Sequence, residues 1–462
     1  MQRLNRGMMG RYEIDEHFPA QVNTVQFGLD ETLLGVVDSL IDQARAGVGI
    51  AALRLGTVDG RDPAKLLNEQ DGMFTLFTRG YLGERAVNRE EVVQSILRAG
   101  DESDIDALAA EPGLKLAILG ENDLSEALDL AARLLQARAK AGLPGLDFLC
   151  VGESAVSAEA VRDGLVARAP GLEAYIHDQC AFCPALADGI ALRAEAKEAA
   201  RLCETMNYAD GMIHLAEPGA KLTIQAPAAF RQRWRLDAAE GVAFVDDLSP
   251  ILEQKRRLFD AGLFLLAAAG WLRGHNTLSD CMKDEALRDY VGKAYMQELL
   301  PADEAARAAD TPYVIRAFER FENPLNDNAI LRVAAPLLGR FRASALPLIR
   351  AWACENFEPP RRLAFALSAT IMLYAGARPN EKGQYEVLRS SERHQIIDAA
   401  DDLEVFSTLS HDMPPEALAY AALADRELWG DDLRDIDGLE QRVALDIANM
   451  QREPKYLPEA TD

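Results

Sequence analysis

Several short stretches of this chain combine residue types and spacings that could do chemistry. Gln26-Phe-Gly28-Leu-Asp30-Glu-Thr32 joins an apolar run to an amphipathic one through a glycine. A strand, a glycine turn and a helix N-terminus together form an anion seat, because free N–H groups and the helix dipole face one point. His177-Asp-Gln-Cys180-Ala-Phe-Cys183 has metal-like spacing, yet no second cysteine pair completes a tetrahedral zinc site. Asp246-Asp247 precedes Pro250 and reads either as metal carboxylates or as a cap for the helix that follows. Lys255 stands in Gln254-Lys-Arg-Arg257, which by itself is a solvated basic helix face. His275 and Asn276, in Gly274-His-Asn-Thr277, read as a turn between helices.

The elements that must position these residues follow from hydrophobic periodicity. Residues 1–20 are polar, charged and aperiodic, and are expected to form a loose N-terminal arm. Short apolar runs follow at 22–27, 48–53, 114–119 and 146–150, each leading into a helical stretch, and two more lie at 221–225 and 242–245. Near-continuous apolar runs alternating with long helical patterns predict a parallel sheet covered on both faces. From about 251 the texture changes to 3.6-residue periods over 253–272, 285–299, 327–356, 360–376, 414–428 and 437–450. Pro301, Pro324, Pro359–Pro360 and Pro414–Pro415 punctuate them. The reading is an α/β domain at 21–250 and an all-α domain at 251–462.

Composition excludes some partners. With 49 basic and 74 acidic side chains among 462 residues the formal charge is −25, which repels phosphate backbones and anionic lipid heads. Nucleic acid and membrane are therefore not expected as partners. The longest apolar stretch, 261–272, is too short for a bilayer, which needs about twenty residues, and reads as a buried core helix. Six scattered cysteines and no apolar targeting segment suggest free thiols in the cytoplasm.

Further segments occur in a telling order: Gln70-Asp-Gly-Met-Phe-Thr75 with Arg79-Gly80, Val245-Asp-Asp-Leu-Ser-Pro250 with Glu253-Gln-Lys255, Arg320-Phe-Glu-Asn-Pro324, and Leu363-Ala-Phe-Ala-Leu-Ser368 with Tyr374. Together with the Gly28 turn they resemble the mannitol dehydrogenase family of long-chain polyol and uronate dehydrogenases, in particular its altronate oxidoreductase (tagaturonate reductase) branch. The resemblance runs from about Val22 to about Met450. It implies a Rossmann-type N-terminal domain, a helical C-terminal domain, an active site in the cleft between them, and NAD or NADP as cofactor. The implied reaction moves hydride between the nicotinamide and a secondary alcohol of a sugar acid or polyol.

The resemblance also assigns residues. Lys255 matches the family's catalytic base, and a lysine in a closed apolar cleft loses part of its charged-form stability. The Leu-Asn-Gly-Ala-His-like stretch that follows it in the family is Phe259-Asp-Ala-Gly-Leu263 here. Asp260 thus replaces an amide donor, and its negative charge opposes an alkoxide; at about 4 Å and an effective dielectric of about 20 that contact costs about 4 kcal/mol. Leu263 replaces a histidine and can neither donate nor accept. The family's asparagine after the strand near Cys150 has no counterpart, leaving Glu153, Ser154 and Ser157 as the polar residues there. In the cofactor loop Gly28 is kept, but Asp30 stands where the family has a second glycine. Asp30 is predicted to be an N-cap, filling the phosphate seat from within; the open alternative is a shifted loop that still binds a nucleotide weakly. Arg54 matches an arginine expected to contact the adenosine ribose or a 2′-phosphate. Arg320, Asn323 and Pro324 read as an anchor between helices, with Asn323 and Arg316 in reach of the cleft. Arg340 and Arg342 lie near where the family keeps basic residues for a sugar acid, with surface solvation expected for at least one.

Two functions remain open at this point: an oxidoreductase of that family with an altered site and weakened or lost activity, and a non-catalytic member that keeps the fold to bind a ligand or a protein.

Overall fold

The computed structural model describes residues 1–56, 61–152, 156–323 and 329–458. The chain divides into two compact units, Met1–Leu252 and Glu253–Asp462.

Among the described residues the first unit contains twelve strands: β1 (Thr24–Phe27), β2 (Ile50–Leu53), β3 (Phe74–Leu82), β4 (Arg85–Val93), β5 (Ile96–Gly100), β6 (Leu116–Leu119), β7 (Asp147–Gly152), β8 (Ala181–Asp188), β9 (Ala191–Arg193), β10 (His214–Ala216), β11 (Lys221–Gln225) and β12 (Val242–Val245). Eight form one sheet in the order β5-β2-β1-β6-β7-β8-β11-β12. The first six run parallel, β11 runs antiparallel to β8, and β12 runs parallel to β11. The parallel part has the doubly wound order 3-2-1-4-5-6, whose direction of winding reverses between β1 and β6.

The apolar runs are near-continuous because successive side chains feed two different cores. Ile50, Ala52, Leu116, Ile118, Leu149 and Val151 pack on one face with the helical segment Leu33–Asp38 and the helix Ser39–Ala44. Ala51, Leu53, Ala117, Leu119, Phe148 and Cys150 pack on the other with the helices Leu124–Lys140 and Ala158–Arg168.

A second sheet, β4-β3-β10-β9, was not expected. The loose N-terminal arm is also corrected. Leu4, Met8 and Met9 are buried against Met73, Phe77, Met206 and Tyr208, and Arg3 bridges to Ala209. Residues that look isolated in a polar sequence are the apolar lid of a small core.

The second unit is mostly helical. Its centre is the helix Ala261–Leu272, apolar all round and buried from Ala261 to Trp271, as a core helix should be. Among the described residues no helix is long and apolar enough to cross a membrane. One feature departs from the all-α expectation, the three-stranded antiparallel ribbon β13 (Arg378–Pro379), β14 (Tyr385–Arg389) and β15 (Glu392–Gln395). The long helix Glu304–Glu322, with Pro312 inside it, falls outside the helical periods read from the sequence.

Candidate functional site

One candidate cluster, in the first unit, lies at the carboxyl ends of β1 and β6. Gly28 follows β1 at φ +117°, a conformation L side chains rarely adopt, and its N–H is held by Leu53 O at 2.8 Å. Asp30 caps the helix that follows: its Oδ1 accepts from the N–H groups of Thr32 and Leu33, each at 3.0 Å. Its Oδ2 points the other way, into the crevice. A Cβ placed on Gly120, at the end of β6, would sit 3.1 Å from that oxygen, and one on Gly28 would sit 3.4 Å from it. Leu33 Cδ1 lies 3.1 and 3.0 Å from the same two points. Carboxylate and methyl group together occupy the winding reversal.

Arg54 leaves the end of β2 and donates from Nη1 to Gly56 O at 2.8 Å. Its guanidinium lies 3.6 Å from both Asp62 and Asp101. Both are helix caps, Asp62 for Pro63–Asn68 and Asp101 for Glu102–Asp104. Hydrogen bonds from Ser103 hold the Asp101 carboxyl below its usual range. Among the other residues expected in this region, Ser157 is itself a cap, accepting from Ala160 N–H, and Glu153 and Ser154 lie outside the described residues.

A separate cluster begins at the end of the helix Ser249–Lys255, which passes through a π-helical turn, Arg256–Asp260, into the core helix. A π turn brings residues five apart onto one face, and such turns recur at functional sites. Here it brings together Lys255 and Asp260. Lys255 Nζ donates to Asp260 Oδ1 at 2.8 Å and Oδ2 at 3.0 Å, with the two side chains 2% and 3% exposed. The solvated-face reading of Lys255 is therefore overturned. Arg340, from the helix Leu337–Ala343, adds a second cation, its Nη1 3.1 Å from Asp260 Oδ1. Its Nε and Nη2 also donate to Ala335 O. Two buried cations thus share one carboxylate. Leu263 is packed in the core and offers no polar atom.

Around this cluster, Phe259 carries the Arg320 guanidinium 3.6 Å from its ring centroid and stacks on Phe321. Arg257 pairs with Asp310 at 2.7 Å. Asn323 is buried at the end of the helix Glu304–Glu322, while Pro324 lies outside the described residues. Arg342 turns away from the cluster to Asp402 and Leu428 O.

The remaining motifs resolve into structure. Asp247 accepts from Ser249 N–H at the start of its helix, and Asp246 pairs with Arg231. His275 and Arg273 bind Asp284, the cap of the helix Glu285–Ala294. Desolvation pushes the Asp284 carboxyl up, but hydrogen bonds from Arg273 and His275 outweigh it and bring the group down to about 2. Burial pushes the Cys180 and Cys183 thiols up to about 11 and about 12. Among the described residues no group of three or more His, Cys, Asp or Glu could hold a metal ion.

Sequence reasoning missed Asp210. Its carboxylate accepts from Thr75 N–H (2.6 Å), Gln70 Nε2 (2.8 Å) and Met212 N–H (2.6 Å), so the Gln70–Thr75 motif is the partner of a buried aspartate.

Residues 247–451 match the family model described as the mannitol dehydrogenase C-terminal domain. The altronate oxidoreductase of Escherichia coli (strain K12) is 30% identical over 282 residues, which span 60% of this chain and 56% of that protein. The match thus covers little more than half the length of such relatives. The altronate oxidoreductase of Pectobacterium carotovorum subsp. carotovorum (strain PC1) is 27% identical over 489 residues, covering 96% of each. In fold the chain is similar to Pseudomonas fluorescens mannitol 2-dehydrogenase, solved as a ternary complex with NAD and D-mannitol: TM-score 0.79, 18% identity, 98% of each chain. A D-sorbitol dehydrogenase in substrate-free form follows at TM-score 0.67 and 16% identity, covering 98% of this chain and 99% of that one.

Proposed function

We propose that the chain is an oxidoreductase of the mannitol dehydrogenase family, acting on the secondary alcohol of a sugar acid or polyol with a weakened activity; the match of residues 247–451 to that family's C-terminal domain and the similarity to altronate oxidoreductases support this. The observation that carries this reading is Lys255, which by resemblance matches the family's base and is buried at a π turn rather than spread over a helix face. The cofactor of such a reaction is NAD or NADP, which supplies or accepts the hydride. The residues at Gly28 do not fit the diphosphate of that cofactor, because Asp30 takes two N–H groups of the first crossover helix and fills the crevice beside Gly120. No hydride step is derived through that seat.

What the chain's own residues do around Lys255 is more definite. Lys255 commits two of its three N–H donors to Asp260. An ammonium has no lone pair, so to accept the proton of an alcohol Lys255 must first give up one of its own, and with it the ion pair, with Arg340 remaining as partner of Asp260. Leu263 cannot hold the substrate oxygen. A reducing, cytoplasmic setting suits six cysteines that are all free thiols.

The test is absorbance at the reduced-nicotinamide band with altronate, mannonate, mannitol and their keto partners. Slow turnover that Lys255→Ala removes supports the reading. No turnover with any of them, together with no cofactor-induced thermal shift, ends it. A second reading, a non-catalytic member that binds a ligand or a protein, is favoured by the pairing of Asp30 and Asp260 with the groups a catalyst would leave available.

A further inference from the structure

We propose that Asp30 acts as a built-in anion in place of a dinucleotide diphosphate, so that the chain binds NAD and NADP only weakly in the crevice its fold inherits. Three observations carry this beyond a simple capping role. First, the two carboxylate oxygens divide the work. Oδ1 satisfies the N–H groups of Thr32 and Leu33 that an incoming phosphate would need, while Oδ2 stands between Gly28 and Gly120, where the diphosphate would lie.

Second, the glycine that permits close approach is still there. Gly28 keeps its positive φ, but the space above it holds the Asp30 carboxylate and Leu33 Cδ1. The backbone is shaped for an anion, and the anion is covalently attached.

Third, three more carboxylates lie beside Asp30 or against the ends of the neighbouring strands. Glu31 accepts from Arg193 N–H at 2.9 Å. Glu121 lies against Gly152 at the end of β7. Glu126 accepts from Gly56 N–H beyond β2 at 2.9 Å. Arg54, the cation beside them, is already flanked by Asp62 and Asp101. A ligand bearing two phosphates meets repulsion along this edge and loses little of it to screening once inside the crevice.

The experiment is calorimetric titration of the full chain with NAD and with NADP, for wild type, Asp30→Gly and Asp30→Asn, each checked by its melting curve. Asn keeps the capping geometry and removes the charge; Gly removes both the charge and the bulk. The expected order of affinity is Gly above Asn above wild type, with Asp30→Gly binding at least about tenfold tighter than wild type. Micromolar binding to wild type overturns the proposal, as does a folded Asp30→Gly or Asp30→Asn that binds no more tightly than wild type. The inference is independent of the oxidoreductase reading. Wild-type turnover with tight cofactor binding sinks the first and spares the second, whereas an Asp30→Gly protein that binds NAD but turns over nothing does the reverse.

Discussion

Lys255 and Asp260 face each other across one π turn, with the Lys255 ammonium donating to both carboxylate oxygens at 2.8 and 3.0 Å in a fully buried setting. Arg340 approaches the same carboxylate at 3.1 Å, so the anion is shared by two cations. Removing the shared partner leaves two buried charges uncompensated, whereas removing one cation leaves a pair intact. Asp260→Asn is therefore expected to cost about 3–5 kcal/mol, and Lys255→Met clearly less. Urea denaturation of the two variants checks the order, and equal losses would mean that Arg340 does not hold Asp260.

The pH dependence of stability has a definite sign. Burial raises Asp398 to about 6, against hydrogen bonds from Tyr374 and the Leu338 N–H. Burial raises Asp446 to about 7, against Arg442 and Arg361, and neither of its oxygens has a hydrogen-bond partner among the described residues. Unfolded aspartates titrate near 3.9, so between about pH 4 and 7 the folded chain holds protons that the unfolded chain releases. The stability from these two groups is complete below about pH 4 and is lost as pH rises through 6 and 7. Asp446→Asn should raise the melting temperature at pH 8 relative to wild type and flatten its fall from pH 5 to 8. A lower melting temperature at pH 8 would contradict this.

Asp210 joins three donors from distant segments. Asp210→Ala strands buried N–H groups on Thr75, Met212 and Gln70, each unmet donor costing about 1–3 kcal/mol. A loss of several kcal/mol in denaturant midpoint analysis is expected. A loss below about 1 kcal/mol would mean that the network contributes little.

Gly72, in the same motif, has φ +81°, and a Cβ there would stand 2.0 Å from Ile96 O. Gly72→Ala combines backbone strain with a clash against main chain that cannot rotate away. It should destabilise by at least about 1–3 kcal/mol, read as a drop in melting temperature; an unchanged melting curve would rule out this close approach.

What the sequence made legible is what it encodes locally. Asp30 reveals its capping role because its partners are two and three residues away. Six strands of the large sheet, β1, β2, β6, β7, β11 and β12, show as short apolar runs, clearest in β2 and β6, which are buried throughout, whereas β5, broken by Arg98, and β8, whose start lies inside the His177–Cys183 motif, are not legible in that way. By contrast, β4 presents Arg89, Glu90 and Glu91 outward or half outward, and β10 has three residues, so the second sheet has no apolar run to announce it. The helix Glu304–Glu322 contains Pro312 and buries only Asp310, Ala317 and Phe321, which leaves no clear stripe. The partners of Asp260 and Asp210 were hidden by distance along the chain: Arg340 lies 80 residues from the first, and Gln70 and Thr75 lie 140 and 135 from the second. Lys255 was legible only through resemblance, since its basic neighbours disguise a buried side chain.

The docking of the first dozen residues has a practical consequence. Leu4 N–H donates to Ala209 O and Ala209 N–H to Gln2 O, while Met1 itself is exposed. A trimmed clone beginning at Gln21 uncovers Met73, Phe77, Met206 and Tyr208 together. Such a preparation would be sticky, self-associating in storage and prone to being mistaken for a natural oligomer.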